Sequence, residues 1–125
     1  MCIRDRIDAD ALRAAAKALL DSGVRELVVI HFPEGGFAAR RNGETMFVPS
    51  FVLEPGEIKG TAGAGDAFCA GMLYAVHGSL PLADALSIAN AAARFNLLSP
   101  TCTDGAVSLD VIDEYRKHAP IRAVI

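Results

Sequence analysis

A glycine-rich segment, GTAGAGD at residues 60–66, is the part of the sequence best suited to chemistry. Gly63 and Gly65 can adopt backbone angles that other residues avoid, and with Ala64 they present little bulk. The apolar residues that follow predict a buried helix that begins just after this glycine loop. Free N–H groups and the positive end of the helix would then face whatever lies in front of the loop. The segment therefore predicts a site for an anion such as phosphate.

Two common phosphate-binding motifs do not fit the glycine loop. The P-loop places a lysine after its last glycine, whereas here Asp66 follows Gly65. The dinucleotide-binding fingerprint needs a glycine or alanine three residues after Gly65, where this chain has Phe68, and it should open a βαβ unit. The loop is therefore of another kind.

Asp66 has two interpretations. Aspartate is among the residues that favour the N-cap of a helix, so Asp66 can simply cap the buried helix. It can also be a general base, because a carboxylate beside an anion site is costly unless it has a task such as accepting a proton. Between Gly60 and Pro100 the only other charged residues are Asp84 and Arg94, which makes the Asp66 carboxylate conspicuous and favours the second interpretation.

The segments before the loop predict a helix, a buried strand and a hairpin. Asp8 or Asp10 can cap a helix that has apolar side chains on one face and ends before Gly23. The run ELVVIH at residues 26–31 does not alternate strictly between apolar and polar residues. This pattern is typical of a strand buried on both faces of a parallel sheet. Asn-Gly at residues 42–43, between two short strand-like runs, predicts a β-hairpin turn.

Three helices are expected after the glycine loop. One covers residues 67–77 and is apolar on every side, and a second, alanine-rich helix covers residues 82 to about 98. Ser108 caps a final amphipathic helix over residues 109 to about 118. The side chains of this last helix that we expect to face inward are Val111, Ile112 and Tyr115. Together the elements predict an α/β/α layered fold with a mostly parallel sheet and the glycine loop at its carboxyl edge.

Composition and charge limit the classes of function. The chain has 125 residues, of which 52% are hydrophobic and 22% charged, as is typical of one globular domain. With a formal net charge of −3 and scattered basic residues, it is not expected to bind nucleic acid or anionic lipid. No apolar run is long enough for a membrane span, and three separate cysteines favour a reducing, cytoplasmic setting. A small-molecule partner is therefore expected.

The first six residues, MCIRDR, fit nothing that follows them and resemble translated adaptor sequence. We therefore expect a non-native leader at residues 1–6 and the folded part at residues 7–125. No apolar stretch like that of a signal peptide follows Met1.

The run GTAGAGDAFCAGML at residues 60–73 resembles the C-terminal signature of the ribokinase-like carbohydrate kinases of the PfkB family. Three other segments agree with this resemblance: a Pro-Glu-Gly-Gly turn at residues 33–36, an Ala-Asn-Ala-Ala-Ala run at residues 89–93 and a Gly-Ala pair at residues 105–106. The resemblance covers nearly all of the chain after residue 6, but only the C-terminal part of such a kinase. It implies a ribokinase-like three-layer α/β/α fold in which this chain is the nucleotide-binding and catalytic part.

The resemblance also implies a reaction, in which the γ-phosphate of ATP, carried with Mg²⁺, is transferred to a hydroxyl of a sugar or sugar-like molecule. Asp66 matches the catalytic base of the family. The N–H groups of Ala64, Gly65 and Asp66 match an anion hole, and Gly63 permits the turn that forms it. The residues implied to bind the nucleotide are Glu34, Gly36, Thr61, Gly63, Gly65 and Asn90. Residues 99–105 match one wall of the adenine pocket.

Several positions depart from the family or have a simpler explanation. Gly60 stands where family members usually have an aspartate that often helps to bind a monovalent cation, which leaves activation by potassium doubtful. Phe32-Pro33 replaces the first pair of the usual Leu-Gly-x-x-Gly turn. Asn90, within a helix, is explained equally well by a nucleotide contact or by a buried hydrogen bond to neighbouring backbone. We interpret His31 as a core or rim histidine rather than a catalytic one.

Other interpretations of the whole chain stay open. The chain can be a truncated nucleotide-binding remnant without turnover, because it lacks the segment that carries most sugar contacts and the lid in such kinases. The acceptor can also be a nucleoside or a vitamin precursor, since no residue here decides among acceptors. A homodimer of the full-length protein is compatible with the family, and which residues would contact a metal is left open.

Overall fold

The computed structural model describes residues 8–52, 55–101 and 105–121. The expected leader at residues 1–6 and residues 102–104 of the expected adenine wall lie outside this part. In chain order the elements are α1 (Ala9–Asp21), β1 (Leu27–Phe32), β2 (Gly35–Arg40), β3 (Thr45–Pro49), α2 (Ala64–His77), α3 (Leu82–Leu97) and α4 (Leu109–His118). A short 3₁₀ turn, Pro55–Glu57, precedes the glycine loop.

The strands form a three-stranded sheet in the order β1-β2-β3, and both neighbouring pairs are antiparallel. The predicted hairpin joins β2 to β3, and its Gly43 has a φ of 100°, a value that glycine adopts without strain. The described strands contain no parallel pair, so the prediction of a mostly parallel sheet is not confirmed. β1 and β2 are joined by a tight turn at residues 33–34, and a connection this short allows only antiparallel pairing.

Both faces of the sheet are covered by helices. On one face, Phe37 and Ala39 of β2 form a cluster with Ala16 of α1. On the other face, Ala38 joins the larger core with α2 and α3. Successive side chains of a strand point to opposite faces, so β2 contributes alternately to the two clusters. The predicted three-layer arrangement is thus present in the described part of the chain.

Helices α2 and α3 pack closely against each other. A Cβ atom added to Gly71 of α2 would lie 2.8 Å from the Cα atom of Ala89 in α3, so the two backbones meet where glycine has no side chain. In α3, Leu82 and Leu86 are the largest side chains that are fully buried among the described residues. The low charge of α3 is explained by this burial, which removes apolar area from water.

The helix ends agree with the sequence in most cases. Asp8 caps α1, with its Oδ1 accepting from the Ala11 N–H at 3.0 Å, and the Ser108 hydroxyl accepts from Val111 at the start of α4. Ile112 is buried as expected, whereas Val111 is exposed, so the prediction that it faces inward is wrong. Val111 follows the Ser108 cap on the solvent side of the first turn. No helix in the described residues is long and apolar enough to cross a membrane.

Candidate active site

The glycine loop is held in place by the C-terminal end of α3. The Lys59 N–H donates to the Leu97 carbonyl at 2.8 Å, and Nδ2 of the buried Asn96 donates to the Ala62 carbonyl at the same distance. A Cβ atom on Gly60 would lie 2.9 Å from the Ser99 carbonyl oxygen, so only glycine fits there without a shift of backbone. The loop therefore starts from a fixed position before it enters α2.

The N-terminus of α2 has free N–H groups. Gly63 is the N-cap, with a φ of 84°, and it provides no side chain to cap the helix. The first helical bond runs from the Ala67 N–H to the Gly63 carbonyl at 2.9 Å, and the Ala64 N–H lies 3.4 Å from the Thr61 carbonyl oxygen. No acceptor within the described residues takes the N–H of Gly65 or Asp66. These two groups are therefore available to an anion.

Asp66 is the third residue of α2 and is exposed to solvent. Because Gly63 is the N-cap, the interpretation of Asp66 as an N-cap is wrong. Among the described residues, its carboxylate takes part in no hydrogen bond and no ion pair. A carboxylate that is neither capping nor paired, next to two free N–H groups, is consistent with the interpretation as a base.

An apolar cleft of about 420 Å³ lies beside this carboxylate, between α2, α3 and residues 105–112. Gly63, Asp66 and Asn96 contribute to its lining. Its apolar lining includes Ala67, Ala70, Ala92, Phe95, Ala106 and Val107. Of the segment expected to form the adenine wall, Gly105 lines the cleft. A flat apolar ring system is a suitable occupant for such a space.

Two of the expected nucleotide-binding residues lie at the turn between β1 and β2. Gly36 is buried in β2, and a Cβ atom there would lie 2.9 Å from Cζ of Phe68 in α2. Its lack of a side chain therefore allows the first turns of α2 to pack on the sheet. The Glu34 carbonyl accepts from the Ser50 N–H at 2.9 Å, which ties the turn to the end of β3. Contact of either residue with a nucleotide stays a prediction.

Asn90 is placed away from the cleft. Only 3% of it is exposed, and its Nδ2 donates to the Val48 carbonyl at 3.1 Å and to the Pro49 carbonyl at 3.2 Å. Of the two explanations for this residue, the structure provides the hydrogen bond to neighbouring backbone. Thr61 lies at the loop, where it is exposed and its carbonyl faces the Ala64 N–H.

His31 lies on the opposite side of α2 from the cleft. Its ring stacks on Phe68, with centroids 4.0 Å apart and planes inclined by 11°. Together with Gly65 and Cys69 it lines a second groove, of about 420 Å³, between β1 and α2. Burial by these neighbours lowers the pKa of the His31 imidazole below its ordinary value. His31 is thus a partly covered rim residue, in agreement with its interpretation from the sequence.

Asn96 was not among the residues singled out from the sequence, although it holds the loop. The feature of the sequence that could have indicated Asn96 is that an asparagine, a poor helix former, lies within a charge-poor helix. The same feature drew attention to Asn90. Within the described residues, no group of three His, Cys, Asp or Glu side chains could hold a metal ion. The site thus combines free N–H groups, one unpaired carboxylate and an apolar cleft.

The sequence profile of the pfkB family carbohydrate kinases matches residues 3–108 of this chain. A 5-dehydro-2-deoxygluconokinase from Geobacillus thermodenitrificans is 31% identical over 103 residues, which cover 82% of this chain and 30% of that protein. A protein of the same name from Clostridium perfringens is 28% identical over 102 residues, covering 82% of this chain and 29% of the relative. The chain therefore spans about 30% of the length of these relatives.

Solved structures share the fold of the chain. A ribokinase from Thermotoga maritima superposes with a TM-score of 0.71 and 21% identity, covering 84% of this chain and 34% of that one. Phosphofructokinase-2 from Escherichia coli, in a complex with potassium, gives a TM-score of 0.71 at 20% identity, covering 89% of this chain and 34% of that one. These similarities confirm a ribokinase-like α/β fold. The profile match over most of the sequence shows that the chain belongs to the PfkB family of carbohydrate kinases.

Proposed function

We propose that the chain is the C-terminal nucleotide-binding and catalytic part of an ATP-dependent kinase that phosphorylates a hydroxyl of a sugar or sugar-like molecule. One observation carries this proposal: among the described residues, the exposed Asp66 carboxylate in the first turn of α2 has no partner, and neither have the N–H groups of Gly65 and Asp66 beside it. A base and an anion site side by side are what phosphoryl transfer to an alcohol requires.

In the proposed reaction the acceptor hydroxyl attacks the γ-phosphorus of ATP. A bond forms between the hydroxyl oxygen and phosphorus, and the bond from phosphorus to the β,γ-bridging oxygen breaks, so that ADP leaves with the electron pair. Asp66 takes the hydroxyl proton as the attack proceeds. The N–H groups of Gly65 and Asp66 donate to the oxygens of the transferred group, where negative charge accumulates. Gly63 contributes by its conformation, because a side chain there would disfavour the turn.

The apolar cleft is the proposed location of the adenine ring. Asp66 and Gly63 line the cleft together with apolar side chains of α2 and α3. A nucleotide whose adenine ring lay in the cleft would therefore have its phosphates close to the glycine loop. The apolar walls would shield the ring from water. The expected contacts of Glu34, Gly36, Thr61 and Asn90 with the nucleotide are part of this proposal, although Asn90 has its own backbone partners.

Two cations bear on the proposed reaction. Mg²⁺ would arrive with the nucleotide and neutralise phosphate charge, and its ligands would be mainly phosphate oxygens and water. This fits the absence, within the described residues, of a group of three possible metal ligands. For a monovalent cation the fit is poor, because Gly60 has no carboxylate and a side chain at that position would meet the Ser99 carbonyl. We therefore propose a turnover that does not depend on potassium.

The relatives are named 5-dehydro-2-deoxygluconokinases, so the acceptor of that name is the first to be tested, followed by other sugars, sugar acids and nucleosides. The assay measures transfer of labelled γ-phosphate, using the 125-residue chain and, in parallel, the longest open reading frame that contains it. Transfer to one class of acceptor would identify the substrate. Binding of ATP without transfer to any acceptor would instead favour a remnant without turnover.

Asp66→Asn tests the proposed base directly. It removes the proton acceptor and keeps the shape of the side chain, so we expect turnover to fall by about 100-fold or more while ATP affinity changes little. Asp10→Asn is the matched control, because Asp10 is also an exposed aspartate in the first turn of a helix, α1, which packs on the opposite face of the sheet. Equal turnover in Asp66→Asn and Asp10→Asn would contradict the assignment of the base.

A further inference from the structure

Within the described residues, Asn96 is the one side chain that holds the glycine loop by a hydrogen bond. It lies in the last turn of α3 and only 3% of it is exposed. A polar side chain this buried needs a partner, and the partner of its Nδ2 group is the Ala62 carbonyl, 2.8 Å away. The bond therefore joins the end of α3 to the segment that leads into α2.

The Ala62 carbonyl occupies a position that decides where α2 begins. Ala62 precedes Asp66 by four residues, so in a helix that began one residue earlier its carbonyl would accept from the Asp66 N–H. In this structure the first helical bond is instead the one from Ala67 to Gly63. The Ala62 carbonyl is bonded to Asn96, and the Asp66 N–H has no acceptor in the part of the chain that the structure describes.

The remaining bonds between α3 and the loop come from the backbone. The N–H groups of Lys59 and Gly60 lie 2.8 and 3.4 Å from the Leu97 carbonyl oxygen. These bonds do not depend on any side chain, and they lie before Ala62 in the chain. Replacing Asn96 would therefore leave the start of the loop anchored and would release only the part next to α2.

We infer that Asn96 is a positioning residue for phosphoryl transfer: by occupying the Ala62 carbonyl, it keeps the Asp66 N–H out of the helix and directed at the phosphate. This inference rests on the proposed function, since it assigns the N–H group to the nucleotide phosphates. Without the Asn96 amide, the Ala62 carbonyl can turn toward Asp66 as Gly63 changes from its φ of 84° to a helical value, and α2 can extend backwards by one residue at the expense of the anion site.

Hydrogen exchange measured by NMR on the complete chain tests the inference without any nucleotide. In the unsubstituted protein, the side-chain N–H₂ of Asn96 should exchange more slowly than that of the exposed Asn42, while the backbone N–H of Asp66 exchanges fast. In Asn96→Leu the Asp66 N–H should become protected by about tenfold, because it gains the Ala62 carbonyl. Fast exchange of the Asn96 amide in the unsubstituted protein would overturn the inference, even if Asn96→Leu fails to fold.

Affinities for ATP and adenosine provide the second readout. Asn96→Leu should weaken ATP binding by about tenfold and adenosine binding by less than twofold, because only the phosphates contact the loop. Leu82→Ala, a cavity substitution at the far end of α3, should alter both affinities equally. If Asn96→Leu also weakens both equally, its role is merely structural and the inference is overturned. Absence of ATP binding to the unsubstituted protein would contradict the proposed function, and the exchange measurement would still decide the role of Asn96.

Discussion

The ring of His31 in β1 lies parallel to the ring of Phe68 in α2, with 4.0 Å between their centroids. The contact joins the sheet to the first turns of the helix that carries Asp66. It also covers part of the imidazole, and this burial disfavours the charged form, so the pKa of His31 is lowered.

The lowered pKa predicts that the protein loses stability in mild acid. Near an ordinary pKa of about 6.5 the unfolded chain binds more protons at His31 than the folded chain does, so the free energy of unfolding falls as the pH drops below that value. Above about pH 7.5 both states are neutral at this residue and its contribution is constant. Urea unfolding between pH 5 and 8 measures the effect. His31→Gln should reduce the slope between pH 5 and 7, and a slope that is the same in both proteins would contradict the prediction.

Two of the three loop glycines, Gly63 and Gly65, are expected to respond differently to alanine. Gly63 has a φ of 84°, a conformation that costs an L-residue about 1 to 2 kcal/mol, so Gly63→Ala should lower the free energy of unfolding by that amount. Gly65 lies within α2 and a Cβ atom there would meet nothing within 4 Å, so Gly65→Ala should leave stability equal or higher. Chemical denaturation of both variants measures the difference. Equal losses at both positions would show that the Gly63 conformation is not required.

Substitution of Asn90 distinguishes a structural hydrogen-bonding role from a contact with the nucleotide. Asn90→Leu leaves the Val48 and Pro49 carbonyls without their donor, and the loss of such buried hydrogen bonds should cost about 1 to 3 kcal/mol of stability. If the backbone contact is its whole role, ATP affinity at 10 °C should stay within twofold of the unsubstituted protein. A much larger loss of ATP affinity, at a temperature where the variant is fully folded, would indicate the nucleotide contact that the family resemblance implies.

Local features of the fold could be predicted from the sequence. Asn42-Gly43 specifies its turn by backbone preference alone, and Asp8 and Ser108 are caps whose side chains bond residues three positions away. The antiparallel pairing of β1 with β2 was not predicted, because the apolar run of β1 was given more weight than the short turn at residues 33–34, which allows only antiparallel pairing. The parallel partner that its apolar run suggested is not among the described residues.

The site could be predicted in part. The glycine pattern predicted the turn that leads into α2, and among the described residues the N–H groups of Gly65 and Asp66 have no acceptor there. That this turn binds an anion and that Asp66 is the base stay predictions. Which residue begins α2 could not be predicted, because that depends on the positive φ of Gly63 and on the bond from Asn96 to Ala62. Asn96 is 34 residues away from Ala62 in the chain, and no local pattern reveals a contact of that kind.

The central claim is that the N–H groups at the start of α2 receive the phosphates of ATP, and NMR titration of the ¹⁵N-labelled chain tests it most directly. The claim predicts large shifts of the Gly65 and Asp66 amide signals with ATP and small shifts with adenosine, while residues lining the apolar cleft, such as Ala92 and Val107, shift with both. ATP binding that leaves the Gly65 and Asp66 signals unchanged would contradict the claim.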